Sequence, residues 1–291
     1  MVQKGYVKLS ASKASVELAE VSSESSGKHV WLHLNAPGFA FKAGQWGHLS
    51  IPSLSLVPHP FTLVPGDEPG KVKIFMRVTG KFTSGVAAAA QKGAAAMPSV
   101  KLEGPYGIPP VPSSSVDAAV FIFGGVGITP ALSLAAEASK FHGVKVPIYW
   151  GLRSLELLKR CAPMLEPHMD KELSTVVLNG QDVQAGGNAL PLNARYGHED
   201  VHSWLAEVSK RLSEKGVHRV MLFVCGPPGL AAAAKAAAGS KECNASVAWH
   251  LHVEEFLFLP PLPKMPKCGS RKRTAVSAAT KPTLLGSQPT A

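Results

Sequence analysis

Apolar positions come in short runs through the first part of the chain and in longer, regularly spaced blocks through the second. Runs rich in Val, Leu, Ile and Trp recur at residues 14–21, 29–34, 45–51, 72–78 and 100–102, broken by Gly, Pro and Ser clusters at 22–27, 36–38 and 65–70. Short strands at such spacing predict a small antiparallel β-barrel. One helix interrupts them, expected over 82–91 with Thr83 or Ser84 as its cap. The stretch Pro109-Pro110-Val111-Pro112-Ser113-Ser114-Ser115 reads as a stiff connector. After it the rhythm changes to strand and helix in alternation. Strands are expected at 118–123, 144–150, 174–178, 220–224 and 246–253, and helices at 130–141, 155–160, 201–215 and 229–238. That alternation predicts a parallel sheet covered on both faces. The expected organisation is a β-barrel domain over 1–112, an α/β domain over 113–259 and a basic tail over 260–291. The tail is dominated by Pro, Lys, Ser, Thr and Ala, a composition that favours disorder. The segment 179–197 is rich in Gly and Asn and long for a connection, which suits a loop ordered by a ligand.

Charge alters this picture little. The net charge is +10, and Lys264, Lys267, Arg271, Lys272, Arg273 and Lys281 of the tail supply six of it without an opposing acid. The basic balance is thus mostly a tail property and does not argue for a nucleic-acid-binding fold. The four cysteines, Cys161, Cys225, Cys243 and Cys268, form no CxxC pair. They suggest neither a disulfide framework nor a zinc site and fit a reducing compartment. His250 and His252 share one face of a strand but have no third ligand nearby, so no metal is expected. Residues 118–136 carry no charge over a length close to a membrane span. Gly124, Gly125, Gly127 and Pro130 interrupt that stretch, so it reads as strand, turn and helix, and no membrane span is expected.

Candidate chemistry gathers at that turn. Phe121-Ile122-Phe123 runs into Gly124-Gly125-Val126-Gly127-Ile128-Thr129-Pro130, which opens the next helix. Glycines remove Cβ atoms where a ligand would approach the backbone, and the N–H groups of a helix start attract phosphate. In the barrel half, His59-Pro60-Phe61-Thr62 offers a fixed backbone to a flat ring. Arg77-Val78-Thr79-Gly80-Lys81-Phe82-Thr83 joins a cation, a glycine and a helix start, a suitable cradle for a pyrophosphate.

Seven motifs occur in order. Phe41-Lys42-Ala43-Gly44-Gln45, His-Pro-Phe-Thr at 59–62, the Arg77 segment and Glu103-Gly104-Pro105-Tyr106-Gly107 together resemble the flavin domain of the ferredoxin-NADP reductase superfamily. The glycine-rich turn, Tyr149-Trp150-Gly151-Leu152-Arg153 and Phe223-Val224-Cys225-Gly226-Pro227-Pro228 are similar to its pyridine-nucleotide domain. His-Pro-Phe-Thr points to the branch of ferric reductases and NADPH oxidases. The resemblance implies a ferredoxin-reductase-type fold holding FAD and NADPH, with NADH as the alternative. His59, Pro60, Phe61 and Thr62 would line the flavin; Arg77, Gly80, Phe82 and Thr83 would hold its pyrophosphate. Gly124, Gly125, Gly127, Thr129 and Pro130 would receive NADPH, and Arg153 its 2′-phosphate. Cys225, Gly226 and Pro227 would approach the nicotinamide, and Phe256 would stack on the flavin; Cys225 and Phe256 are the residues expected nearest the chemistry.

The chain departs from the family at Gly197-His198-Glu199, where that branch normally carries Gly-Arg-Pro, and an acid there should weaken NADPH binding or favour NADH. The haem-bearing membrane helices that normally precede the flavin domain are absent from this sequence, which fits a piece of a longer protein, one half of a two-chain system or a soluble reductase. The acceptor could be haem in a separate membrane subunit, passing electrons on to oxygen or ferric iron with this chain at the cytoplasmic face, or a soluble carrier or a quinone. Two other readings remain open: a cytoplasmic flavin or ferric-chelate reductase, and a non-catalytic partner of a membrane oxidase.

Overall fold

The computed structural model describes residues 10–107, 115–180 and 189–254. Phe256, the tail over 260–291, most of the 109–115 connector and residues 181–188 of the long loop lie outside them. The described residues carry two sheets, one antiparallel and one parallel.

The first sheet has seven strands: β1 (Ser10–Glu24), β2 (Gly27–Asn35), β3 (Trp46–Ser50), β4 (His59–Thr62), β5 (Val64–Pro65), β6 (Lys71–Arg77) and β7 (Val100–Tyr106). Their order is β4-β3-β7-β1-β2-β6-β5. The two ends of that order, β4 and β5, are consecutive in the chain with only Leu63 between them. The sheet therefore curls back on itself as the expected barrel. Strand β1 pairs with β7 through its first residues and with β2 through the rest, with a bulge between Val16 and Leu18. Such a bulge lets one long strand bend round a barrel. Apolar residues turned inward, among them Leu32, Leu34, Leu49, Leu63, Ile74 and Leu102, fill the interior together with Phe82 and Val86 of helix α1 (Lys81–Ala90).

Helix α1 begins one residue earlier than the sequence suggests, and its cap is neither Thr83 nor Ser84. Gly80 is the capping residue. Thr83 sits one turn in, where its hydroxyl accepts the amides of Thr79 (3.0 Å) and Gly80 (3.1 Å).

The second sheet contains β8 (Ala118–Gly124), β9 (Ile148–Leu152), β10 (Thr175–Leu178), β11 (Arg195–Tyr196), β12 (Arg219–Cys225) and β13 (Ala248–Glu254), all parallel, in the order β11-β10-β9-β8-β12-β13. Burial on both faces explains why its strands read as continuous apolar runs. Ala119, Phe121 and Phe123 of β8 pack on the side of α2 (Ala131–His142) and α3 (Leu155–Leu165). Ala118, Val120 and Ile122 pack on the side of α4 (Val201–Glu214), α5 (Pro228–Gly239) and the short α6 (Lys241–Asn244). Strand β9 starts at Ile148, later than expected. Gly143 closes α2 in a left-handed conformation, Val146 makes only an isolated bridge to Met169, and Pro147 has no N–H to give a ladder.

The core on the α2 side also contains Trp31, Val64 and Phe75 from the barrel, so one apolar core spans both sheets.

An ion pair fixes the start of the central strands. Asp117 accepts from Arg219 Nη2 (2.6 Å) and from the Arg219 amide (3.0 Å), which holds its carboxyl down to about 2. An ordinary aspartate titrates at about 3.9, so this stabilisation is complete above about pH 4 and disappears as the pH falls toward 2. Urea unfolding of Asp117→Asn should show a deficit against the native chain at pH 6 that closes between pH 4 and 2. A deficit that stays constant across that range would refute the assignment.

Candidate functional site

In an open parallel sheet, ligands bind outside the carboxyl ends of the strands, where the strand order reverses. Here that point lies between β8 and β12: from β8 the chain winds outward through β9 and β10, then returns to β12 and β13. The turn after β8 is the glycine-rich segment, a 3₁₀ turn over Gly125–Ile128 that leads through Thr129 and Pro130 into α2. The turn after β12 is Gly226-Pro227, which opens α5. Both lie at the switch point.

Three glycines of these two turns meet a packing requirement. A Cβ on Gly124 would stand 2.4 Å from Pro227 Cδ, and one on Gly127 would stand 2.5 Å from the Cys225 carbonyl oxygen. A Cβ on Gly226 would lie 2.9 Å from the Gly124 nitrogen. These three glycines let the two turns pack backbone to backbone. Gly125 is the open one: its φ is +53° and nothing lies within 4 Å of a Cβ there. Its carbonyl accepts Trp150 Nε1 at 3.0 Å, a contact the sequence reading missed. The clue was available, because a buried indole needs an acceptor.

Across the seam, Thr129 Oγ1 donates to Thr62 Oγ1 at 3.3 Å, and both threonines are buried. Nearby, the Gly44 amide donates to Ser133 Oγ at 3.2 Å. The buried Gln45 anchors that loop, donating to the Gly107 carbonyl (2.9 Å) and accepting the Lys42 amide (2.8 Å). The motifs at 41–45 and 59–62 are thereby brought against the start of α2.

The rest of His-Pro-Phe-Thr forms β4, where alternate residues point opposite ways. His59 stacks on Phe82 at 3.9 Å with rings 16° apart, and Phe61 lies 6.3 Å from the same ring. His59 Nε2 also meets Ser55 Oγ at 3.3 Å. Burial, and secondarily His48, hold the His59 imidazole below its usual range and so neutral at pH 7. Pro60 is exposed. Proline is tolerated because β4 is the last strand in the sheet order.

Arg77 ends β6 and donates to the Ser26 carbonyl at 3.3 Å, on the hairpin between β1 and β2. A few residues on, Gly80 and Lys81 are exposed at the start of α1, and a Cβ at Gly80 would meet nothing within 4 Å. That open helix start suits an anionic phosphate group. Arg153 is exposed just beyond β9, and Glu156 pairs with Lys159 at 3.4 Å. Burial and the nearby Glu254 carboxylate push the Cys225 thiol up to about 12, so it is a neutral thiol and no nucleophile at pH 7. At the family departure, Glu199 pairs with Arg195, and its carbonyl accepts the Tyr149 hydroxyl at 2.8 Å. His198 is exposed.

Residues 9–110 match the family model of an FAD-binding domain. This chain carries that match over its antiparallel sheet and helix α1. Its curated relatives include NADPH oxidase 1 of Rattus norvegicus, 25% identical over 235 residues, which cover 70% of this chain and 41% of the rat protein. Dual oxidase 2 of Homo sapiens is 29% identical over 265 residues, 76% of this chain and 17% of the human protein. The chain thus spans less than half the length of these relatives. Among solved structures, a cytochrome P450 reductase of Amycolatopsis aligns with a TM-score of 0.56 at 23% identity, covering 85% of this chain and 70% of that one. The ferredoxin reductase of a carbazole 1,9a-dioxygenase aligns with a TM-score of 0.60 at 16% identity, covering 87% and 71%. A ferredoxin-NADP+ reductase of Plasmodium falciparum aligns with a TM-score of 0.54 at 13% identity, covering 84% and 96%. These likenesses show a shared fold, an antiparallel sheet followed by a parallel one.

Proposed function

We propose that the chain is an FAD-dependent NAD(P)H oxidoreductase. FAD would sit on the barrel and the pyridine nucleotide at the carboxyl ends of β8 and β12. The observation that carries this reading is the Thr62–Thr129 contact of 3.3 Å, which joins the His-Pro-Phe-Thr strand to the glycine-rich turn. Two cofactors bound on either side of that contact would meet at the seam, and proximity is what hydride transfer between bound rings requires. The flavin supplies the ability to accept a hydride and release electrons one at a time.

The residues fit such groups. The α1 start would face the FAD pyrophosphate, with Arg77 turning from Ser26 to join it; His59, Phe61 and Phe82 offer an apolar ring stack beside it. Gly125, Thr129 and Pro130 would seat the nucleotide pyrophosphate, and the exposed Arg153 would take a 2′-phosphate. Phe256 would close over the flavin. The Arg195–Glu199 pair engages a nearby cation, which supports use of NADH beside NADPH. Among the described residues no helix is long and apolar enough to cross a membrane. The NADPH oxidase relatives support a haem-bearing membrane domain as the electron acceptor, with this chain on its cytoplasmic side.

The purified chain should be yellow and should bleach when NADPH or NADH is added without oxygen. Cytochrome c, ferric chelate and oxygen, offered in turn, would then identify the acceptor class. A chain that takes up no FAD at micromolar concentration would end this reading in favour of a non-catalytic binding module.

A further inference from the structure

The seam has a second set of contacts away from the cofactor motifs. The tip of the β1–β2 hairpin reaches from the barrel to the start of α3. Glu24 Oε1 accepts the Glu156 amide at 3.1 Å, and Glu24 Oε2 accepts the hydroxyl of Ser154. Ser154 is only 3% exposed, and its oxygen in turn accepts the Leu157 amide at 3.0 Å. The α3 start is thus capped by two side chains, one from its own domain and one from the other. One turn along, Arg160 pairs with Glu20, four residues back on the same strand. Ser26 Oγ also donates to Glu24 Oε2 at 3.3 Å, which braces the carboxylate within the hairpin tip.

From this geometry we infer that Glu24 is a positioning residue, a latch from the barrel that fixes the nucleotide sheet at the spacing hydride transfer needs. Charge-assisted hydrogen bonds to a helix start are stronger and more directional than the apolar contacts around them. The shared core of Trp31, Val64 and Phe75 with the α2 side is held by contacts without direction, whereas a carboxylate held by an amide and a hydroxyl has a fixed one. Arg160–Glu20 removes the remaining freedom of rotation about that point. The inference rests on the proposed reaction for its consequence, though the latch itself is independent of any cofactor.

The test uses the full chain with Glu68→Cys and Lys210→Cys for paired spin labels and Cys268→Ser to remove an extra thiol. Cys161, Cys225 and Cys243 are buried and would stay unlabelled. Without cofactor, the native latch should give one narrow distance distribution, and Glu24→Gln a broad one. Arg160→Glu should broaden it also, and the swap Glu20→Arg with Arg160→Glu should narrow it again. In FAD-loaded, unlabelled chain, Glu24→Gln should slow the limiting rate of anaerobic flavin reduction about tenfold, since small misplacements of reacting rings cost one to two orders of magnitude. FAD and nucleotide affinities should stay within about twofold, which a general loss of structure would not allow. An unchanged distance distribution in Glu24→Gln overturns the latch, and a broadened one with an unchanged reduction rate overturns its positioning role. A chain that binds no FAD sinks the proposed function, while the distance measurement still decides the latch.

Discussion

Gly127→Ala should lose nucleotide binding and destabilise the fold together. Its new Cβ would lie 2.5 Å from the Cys225 carbonyl oxygen and 2.9 Å from that carbonyl's carbon. Both atoms belong to the backbone at the end of β12, which is paired with β8 on one side and β13 on the other, so neither can move alone. Overpacking of this kind costs about 1–3 kcal/mol. Relief would come from lifting the turn after β8, which also displaces Thr129 from Thr62. We expect NADPH or NADH affinity to fall at least tenfold, since about 1.4 kcal/mol corresponds to a factor of ten. Gly125→Asn is the contrast. Asn adopts left-handed backbone more readily than other side-chain-bearing residues, and no atom stands within 4 Å, so its fold should be nearly intact. Urea titration and calorimetric nucleotide titration of both variants would check this. Native-like stability and binding in Gly127→Ala would show that turn-on-turn packing is not what the glycine is for.

Trp150→Ala should have the largest effect on stability. The ring is fully buried in the core that joins the sheets, and truncating such a residue costs about 3–5 kcal/mol. Trp150→Phe separates packing from hydrogen bonding. It keeps most of the apolar volume but leaves the Gly125 carbonyl without its 3.0 Å donor, a loss of about 1 kcal/mol. We expect Trp150→Phe to unfold close to the native midpoint yet bind nucleotide several-fold more weakly, because the lost contact holds the one open glycine of the turn. Equal losses in both properties would assign Trp150 to packing alone.

Much of the architecture was readable because it depends on local pattern. Continuous apolar runs marked the strands buried on both faces, and alternation of strand and helix marked their parallel arrangement. Boundaries failed where a single residue's backbone chemistry decided them: Pro147 delays β9, and Gly80 rather than a hydroxyl residue starts α1. The 59–62 segment carries Pro60 and is not among the expected strands, yet it is a terminal strand where a missing N–H costs nothing. The site was less legible for a different reason. Gly124, Gly127 and Gly226 look in sequence like space left for a ligand, and nothing local shows that each also packs on a segment about a hundred residues away. Glu24 with Ser154, and Gly44 with Ser133, are likewise contacts between distant segments that no local pattern encodes.

The apolar core that spans both sheets also governs how the molecule comes apart. With Trp31, Val64 and Phe75 in one cluster with Phe121, Phe123 and Trp150, neither sheet can unravel without exposing the other's interior. Their melting is therefore cooperative. Free energy gained by a ligand on either sheet, RT ln(1 + [L]/Kd), is shared by both. A flavin bound to the barrel would thus raise the melting temperature of the parallel sheet as well.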